Sequence, residues 1–161
     1  MSTLRGPGDA ELLNVTIEQW AKGWQLESAP PQIEHQPETD ATGNSHWLIR
    51  LRGDEKDVIT VWLTLRQRTV YFETEVISAP EENLVELYRY LLVKNFSIRG
   101  VQLAIGPEAG IYLVASVPLG QVDADVLDEL LGAVLASVDE IFPTAMSLGH
   151  ASHYRRRPRN R

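Results

Sequence analysis

The chain has 161 residues, 43% of them hydrophobic and 23% charged, a size and balance that suit one folded domain with its own core. It holds no cysteine, which excludes disulfides, thiolate metal sites and a cysteine nucleophile. The formal net charge is −7, but five arginines crowd the end at Arg155, Arg156, Arg157, Arg159 and Arg161; the remainder sets 10 basic groups against 22 acidic ones, a balance of −12, and such a body repels nucleic acid and anionic membrane at long range.

Residues 1–8, MSTLRGPG, read as a loose end. They carry no apolar signal core, and no apolar run in the chain nears the ~20 residues of a membrane span. The expectation is therefore a cytoplasmic protein with no membrane partner. Asp9 is placed to cap a helix in which Leu13, Ile17, Trp20 and Trp24 share one face, with Gly23 suited to its end. The stretch 28–45, SAPPQIEHQPETDATGNS, is polar and Pro-rich and reads as a long loop leading to a sheet.

Three strands follow. His46–Arg52 is the first. In Val58–Leu65, Ile59, Val61, Leu63 and Leu65 alternate with Val58, Thr60, Trp62 and Thr64, a pattern with one buried face. Thr69–Ile77 places Val70, Phe72 and Val76 opposite Tyr71, Glu73 and Glu75. The short connections between these runs predict an antiparallel meander. Ser78 and Glu81 have capping-box spacing, with Pro80 tolerated in a first turn. The helix they open puts Leu84, Leu87, Tyr88, Leu91, Leu92 and Asn95 on one face.

Val101, Leu103 and Ile105 alternate before the segment Gly106-Pro107-Glu108-Ala109-Gly110, and Ile111, Leu113, Ala115 and Val117 alternate after it. A phosphate-cradling loop needs a Lys-Ser/Thr pair and a helix behind its glycines. Here a strand follows, and Glu108 would repel an anion, so the segment reads as a hairpin turn. Asp123 caps a last helix with an apolar face from Val126 to Phe142. Gly132 within it suggests close packing, and Pro143 is expected to kink or split it. The order α-βββ-α-ββ-α, with an antiparallel sheet of about five strands, is an α+β fold. Residues 9–154 form one domain, 1–8 a flexible N-terminus and 155–161 a basic tail.

The words APEENLVELYRYLLVKN (79–95), IYLVASVPL (111–119), LDELLGAVL (127–135) and SLGHAS (147–152) resemble the YbjN-like family of bacteria, in its actinobacterial form. Members are loosely described as sensory-transduction regulators, with a fold akin to type III secretion chaperones. The resemblance implies a small α+β domain, often dimeric, that binds proteins rather than catalysing a reaction. Positions that match the family pattern include Pro80, Glu82, Asn83, Tyr88, Asn95, Tyr112, Pro118 and Gly149. The chain departs from it at Gly110, where the family has Asp, at Ala115-Ser116, at Phe142-Pro143-Thr144, at Ser147-Leu148-Gly149-His150 and at Arg155-Arg156-Arg157-Pro158.

The residues themselves show no catalytic, cofactor or metal constellation. His35, His46, His150 and His153 read as solvated surface histidines, since a metal needs three or four convergent ligands. The acids Glu81, Glu82, Asp123, Asp125, Asp128 and Glu129 gather at helix starts, where they offset the helix dipole. Trp62, Tyr71, Tyr112, Val58 and Val114 fall on the sheet face opposite the stronger apolar stripe. They are candidate protein-binding residues if no helix or loop covers them. Asn83 is a further candidate, with a loop-fixing role as the plainer reading. The arginine tail reads as a disordered segment; it engages the acidic body, an acidic partner or, as the alternative reading, phosphate backbones. The expected function is a non-enzymatic protein-binding module, chaperone-like or regulatory, acting as a homodimer on a protein partner of unknown identity.

Overall fold

The computed structural model describes residues 7–27, 32–36, 41, 43–156 and 158, with side chains from residue 11 but not for 24–27 or 32–36. Helix α1 (Pro7–Glu27) leads to strands β1 (Gln32–Gln36), β2 (Ser45–Leu51), β3 (Ile59–Leu65) and β4 (Thr69–Ile77). Then come α2 (Leu84–Ser97), β5 (Gln102–Ile105), β6 (Ile111–Pro118) and α3 (Ala124–Gly149). The strands make one six-stranded sheet in the order β1-β2-β3-β4-β6-β5. Every neighbouring pair is antiparallel. The α+β class holds, and the expected order α-βββ-α-ββ-α holds with one strand, β1, added ahead of the first three.

Several local expectations do not. The stretch 28–45 contains a strand: β1 pairs along its length with β2, from Gln32 opposite Arg50 to Gln36 opposite His46. An edge strand is paired on one side only, so its QIEHQ sequence carries little apolar signal. Helix α1 begins at Pro7, ahead of Asp9, and runs through Gly23 to Glu27. Proline is pre-organised for a first helical position and needs no partner for an N–H it lacks. Pro143 lies inside α3 without splitting it, and Ser147 Oγ donates to its carbonyl at 2.8 Å. Nothing lies within 4 Å of a Cβ placed on Gly132, so no close packing explains that glycine.

All three helices cover one face of the sheet. Trp47 and Ile49 of β2, Val61 and Leu63 of β3, Phe72 of β4 and Leu113 of β6 are fully buried in a single core. Leu13, Ile17 and Trp20 of α1 enter it, with Leu127, Leu131, Val134, Val138 and Ile141 of α3. The side chain of Trp20 donates from Nε1 to Asp128 Oδ1 at 2.7 Å, tying α1 to α3. Asp123 caps α3 as its position suggests, accepting from the Val126 N–H at 2.9 Å. Among the described residues α3 is the one helix long and apolar enough to cross a membrane by length and composition.

The start of α2 also differs from its sequence signal. The helix begins at Leu84, and its cap residue Asn83 has φ 49° with no side-chain cap bond. The Ser78–Glu81 spacing does not form a capping box. Instead the Glu81 and Glu82 N–H groups both donate to the Gly149 carbonyl, at 2.9 and 3.0 Å. A distant helix end thus supplies the acceptor that a local box would have supplied. Of the six residues expected to share the inner face of α2, only Leu87 and Leu91 are buried. Leu84 and Leu92 are exposed.

Candidate protein-binding surfaces

The even-numbered positions of β3 and β6 and the odd-numbered ones of β4 as far as Glu75 point away from the helices; a register shift after Glu75 turns Ile77 into the core. Trp62 stands opposite Glu73, and Glu73 opposite Val114. Tyr71 lies opposite Thr64 and Ser116, and Glu75 opposite Tyr112. Cross-strand neighbours of this kind sit ~5 Å apart, so Trp62, Tyr71, Tyr112 and Val114 share one continuous face, on which Leu48 opposite Trp62 and Thr64 opposite Tyr71 are buried. Trp62 is 38% exposed, Tyr71, Tyr112 and Val114 are half-buried, and Val58 stands exposed just ahead of β3. Arg66 stacks on Tyr71 with its guanidinium carbon 4.1 Å from the ring centre. Burial and the neighbouring Glu73 push the Tyr71 phenol up. Burial and Glu75 do the same to Tyr112, whose hydroxyl donates to Glu75 Oε2 at 3.3 Å.

The glycines between β5 and β6 serve this face. The Gly106 N–H donates to the Gly110 carbonyl at 2.9 Å, and the Gly110 N–H to the Pro107 carbonyl at 3.1 Å. Both amides are spent inside the hairpin and cannot cradle a phosphate. A Cβ on Gly106 would fall 2.3 Å from the Tyr112 ring, and one on Gly110 would fall 3.0 Å from it and 3.2 Å from Glu75 Oε2. Both glycines therefore leave room for Tyr112. The turn between them holds Glu108 and Ala109 at φ 54° and 61°, left-handed values that L-residues seldom adopt.

A second surface was not expected from sequence. On α2, Val85 is 77% exposed, Leu92 69% and Phe96 96%, with Val93 exposed beside them. Together with Tyr88 and the stem of Arg89 they line one shallow apolar depression. The spacing 85, 88/89, 92, 96 is a helical stripe turned away from the sheet. A narrower groove runs on between α2 and β5, lined by Leu92, Asn95 and Ile105 among others. The signal was legible in one respect: LVELYRYLLVKNFS holds more apolar residues than one buried face can use.

Strand β5 is the sheet edge beside this stripe, and Asn95 closes it. Its Oδ1 accepts from the Leu103 N–H at 2.7 Å, and its Nδ2 donates to the Leu103 carbonyl at 3.0 Å. The side chain thus occupies both outward backbone groups of that residue, as a neighbouring strand would.

The remaining sequence candidates lie elsewhere. Asn83 donates from Nδ2 to the Leu148 carbonyl at 3.0 Å, at the α2–α3 junction and apart from the aromatic face. Next to it Glu82 accepts from both the N–H and the hydroxyl of Ser152, each at 2.9 Å. These bonds hold the Glu82 carboxyl below its ordinary range. His150 is buried rather than solvated, with Nε2 3.5 Å from Ser78 Oγ and 3.4 Å from the Ser78 carbonyl. Its position at the end of α3 folds it under that junction. His153 is exposed, 4.0 Å from Glu81. His46 is half-buried, its Nδ1 3.1 Å from Thr64 Oγ1; His35 lies on β1, where side chains are not described.

The chain then turns back on the body. Tyr154 packs edge-on against Phe142, and Arg156 reaches Glu55 at 2.9 Å. Asp139 of α3 accepts from the Asp54 and Glu55 N–H groups at 3.1 and 3.0 Å, fixing the turn that presents Glu55. Lys56 of the same turn donates to the Glu75 and Val76 carbonyls at 2.6 and 3.1 Å, and burial pulls its pKa down. One tail arginine is thus engaged by the acidic body. Arg155 is exposed, and Arg157, Arg159 and Arg161 lie outside the described residues. Among the described residues no three His, Asp or Glu side chains converge for a metal.

The comparisons with known proteins agree with this architecture. The YbjN family profile, described as "Putative bacterial sensory transduction regulator", matches residues 15–146. The chain belongs to the YbjN family. An uncharacterised protein of Mycobacterium tuberculosis (strain ATCC 25618 / H37Rv) is 36% identical over 109 residues, covering 68% of this chain and 60% of the relative. The match thus spans about three fifths of that relative's length. Among solved structures the fold is similar to one in the ExsC–ExsE complex, with a TM-score of 0.57 at 16% identity over 83% of this chain and 93% of that one. It is also similar to one in the HopA1–SchA chaperone–effector complex, with a TM-score of 0.56 at 10% identity over 86% and 99%. A side chain at Gly110 would press against Tyr112 and Glu75.

Proposed function

We infer that this YbjN-family chain is a non-enzymatic protein-binding module, chaperone-like or regulatory, that works as a homodimer. The observation that carries the reading is the exposed stripe of Val85, Leu92, Val93 and Phe96 on α2. Fully burying one such side chain is worth about 1.5–3 kcal/mol, so a helix displaying several of them in water is built to be covered. A second copy is the occupant we favour. The stripe is centred between Arg89 and Leu92, so an antiparallel copy sets Phe96 of one chain against Val85 of its mate. A two-fold interface of this kind uses the same patch twice.

The aromatic face of Trp62, Tyr71, Tyr112 and Val114, with Val58 at its end, belongs to the other layer of the fold and remains open for a protein partner. Fold neighbours captured in two-protein complexes, one of them a chaperone with its effector, support this reading. The test is sedimentation equilibrium over a wide concentration range. A dimer is expected, and a monomer at every concentration would overturn the homodimer.

A further inference from the structure

The open face of the sheet has a chemistry that selects its occupant. Its rings and its acids alternate across the strands: Trp62, then Glu73, then Val114 in one row, and Glu75 beside Tyr112 in the next. Glu108, on the left-handed turn of the hairpin, adds its negative field at Tyr112. Lys56 lies near Glu75, but its ammonium donates to the Glu75 and Val76 carbonyls; the other positive groups of this face stand to one side. His46 and Arg50 lie on β2, across β3 from the acids, and Arg66 is already stacked on Tyr71.

A neutral apolar segment laid here would strip water from Glu73 and Glu75 and return nothing to their charge, which disfavours it. An acidic segment would add repulsion. A segment with arginine or lysine between apolar residues meets every group at once. Its apolar side chains cover Trp62 and Val114, its cations reach Glu73 and Glu75, and their stems and charges lie on the ring faces of Tyr71 and Tyr112. The Arg66–Tyr71 pair is an example of that contact within the chain.

We propose that this face docks a protein segment in which basic residues are interleaved with apolar ones. The proposal rests on the reading of the chain as a protein-binding module and names the chemistry of what it binds.

The probe is a short fluorescein-labelled peptide of alternating arginine and leucine, with serine–leucine and glutamate–leucine versions beside it. Binding to the full chain is followed by anisotropy. Glu73→Gln with Glu75→Gln removes the acids of the face. Asp125→Asn with Glu129→Gln removes the same charge from the exposed start of α3. The first pair is expected to weaken the arginine peptide by about tenfold or more, as loss of two close charge pairs implies. The second should change it by less than about twofold, as screened distant charges do. Trp62→Ala with Tyr71→Ala should weaken it as strongly as the first pair. Equal loss from both charge pairs would show a response to net charge alone and overturn the proposal. A serine–leucine peptide bound as tightly, and still dependent on Trp62 and Tyr71, would overturn the basic preference while leaving the protein-binding face in place. No binding of any peptide by a chain that dimerises through α2 would likewise sink this proposal and spare the homodimer.

Discussion

Replacing Phe96 tests the dimer at its most exposed point. The side chain is 96% exposed, so in the single chain it makes almost no contact that its removal can cost. In an antiparallel pair of α2 helices it is buried twice, once from each copy. At about 1.5–3 kcal/mol for each phenylalanine buried, Phe96→Ala should remove about 3–6 kcal/mol from association, or some two to four powers of ten in the dimer dissociation constant. Phe96→Asp should go further, because each copy would then bury a carboxylate. Fold stability should move by less than about 0.7 kcal/mol, the span of ordinary helix propensities. Sedimentation equilibrium reads the first quantity, and urea unfolding of the monomeric variant reads the second. An unchanged association constant would refute the assignment of α2 as the interface. A large loss of monomer stability would refute the claim that Phe96 stands free of the core.

Three further outcomes follow from the geometry. Gly106→Ala drives a Cβ toward the Tyr112 ring, 2.3 Å away, and should cost about 1–3 kcal/mol of stability. Tyr112→Ala in the same chain should recover part of that loss, and a double-mutant cycle by urea unfolding that came out additive would deny the contact. Asn95→Ala leaves both outward groups of Leu103 without their partner and should cost about 1–3 kcal/mol while raising light scattering on mild heating; a variant as stable and as clear as the parent would show that the edge needs no cover. Glu82 carries the pH dependence of the junction. Its folded pKa lies below its ordinary value because Ser152 donates to the carboxylate, so the stabilisation is fully present above the unfolded pKa and is lost as pH falls through the lower folded value. Amide exchange at Ser152, corrected for intrinsic rate, should therefore lose protection only as the solution becomes strongly acid, and Glu82→Gln should lose protection at neutral pH; protection that follows the ordinary glutamate range would contradict this.

The central sheet was readable because its burial is one-sided. A period of two in 58–65 and 69–77 separates Val61, Leu63 and Phe72 from Trp62, Tyr71 and Glu73, and a single covered face converts that pattern directly into inside and outside. The same logic placed the aromatic candidates on the open side. Helix α2 defeated it. Apolar residues occur all round its surface, so counting those at helical spacing collects Leu84 and Leu92 with Leu87 and Leu91, although the first two face water. Which apolar side of a helix meets the sheet is a tertiary fact. Strand β1 was hidden for the opposite reason, since QIEHQ owes its conformation to backbone pairing with β2. The capping-box spacing at Ser78 misled because the acceptor in use, the Gly149 carbonyl, arrives from the far end of the chain. His150 was misjudged for the same cause.

Asn95 has a consequence for how assembly ends. A sheet whose last strand offers its amides and carbonyls outward has no built-in stopping point, since each added copy exposes a fresh edge for the next. By meeting Leu103 with a single side chain, the molecule closes the β5 edge of its sheet with one of its own residues, and in the proposed dimer the neighbouring helix joins the copies through side chains. Contact through a self-matching helix stripe saturates when two copies have met. The side chain at position 95 therefore bears on assembly as well as stability: it denies the β5 edge to strand-by-strand growth.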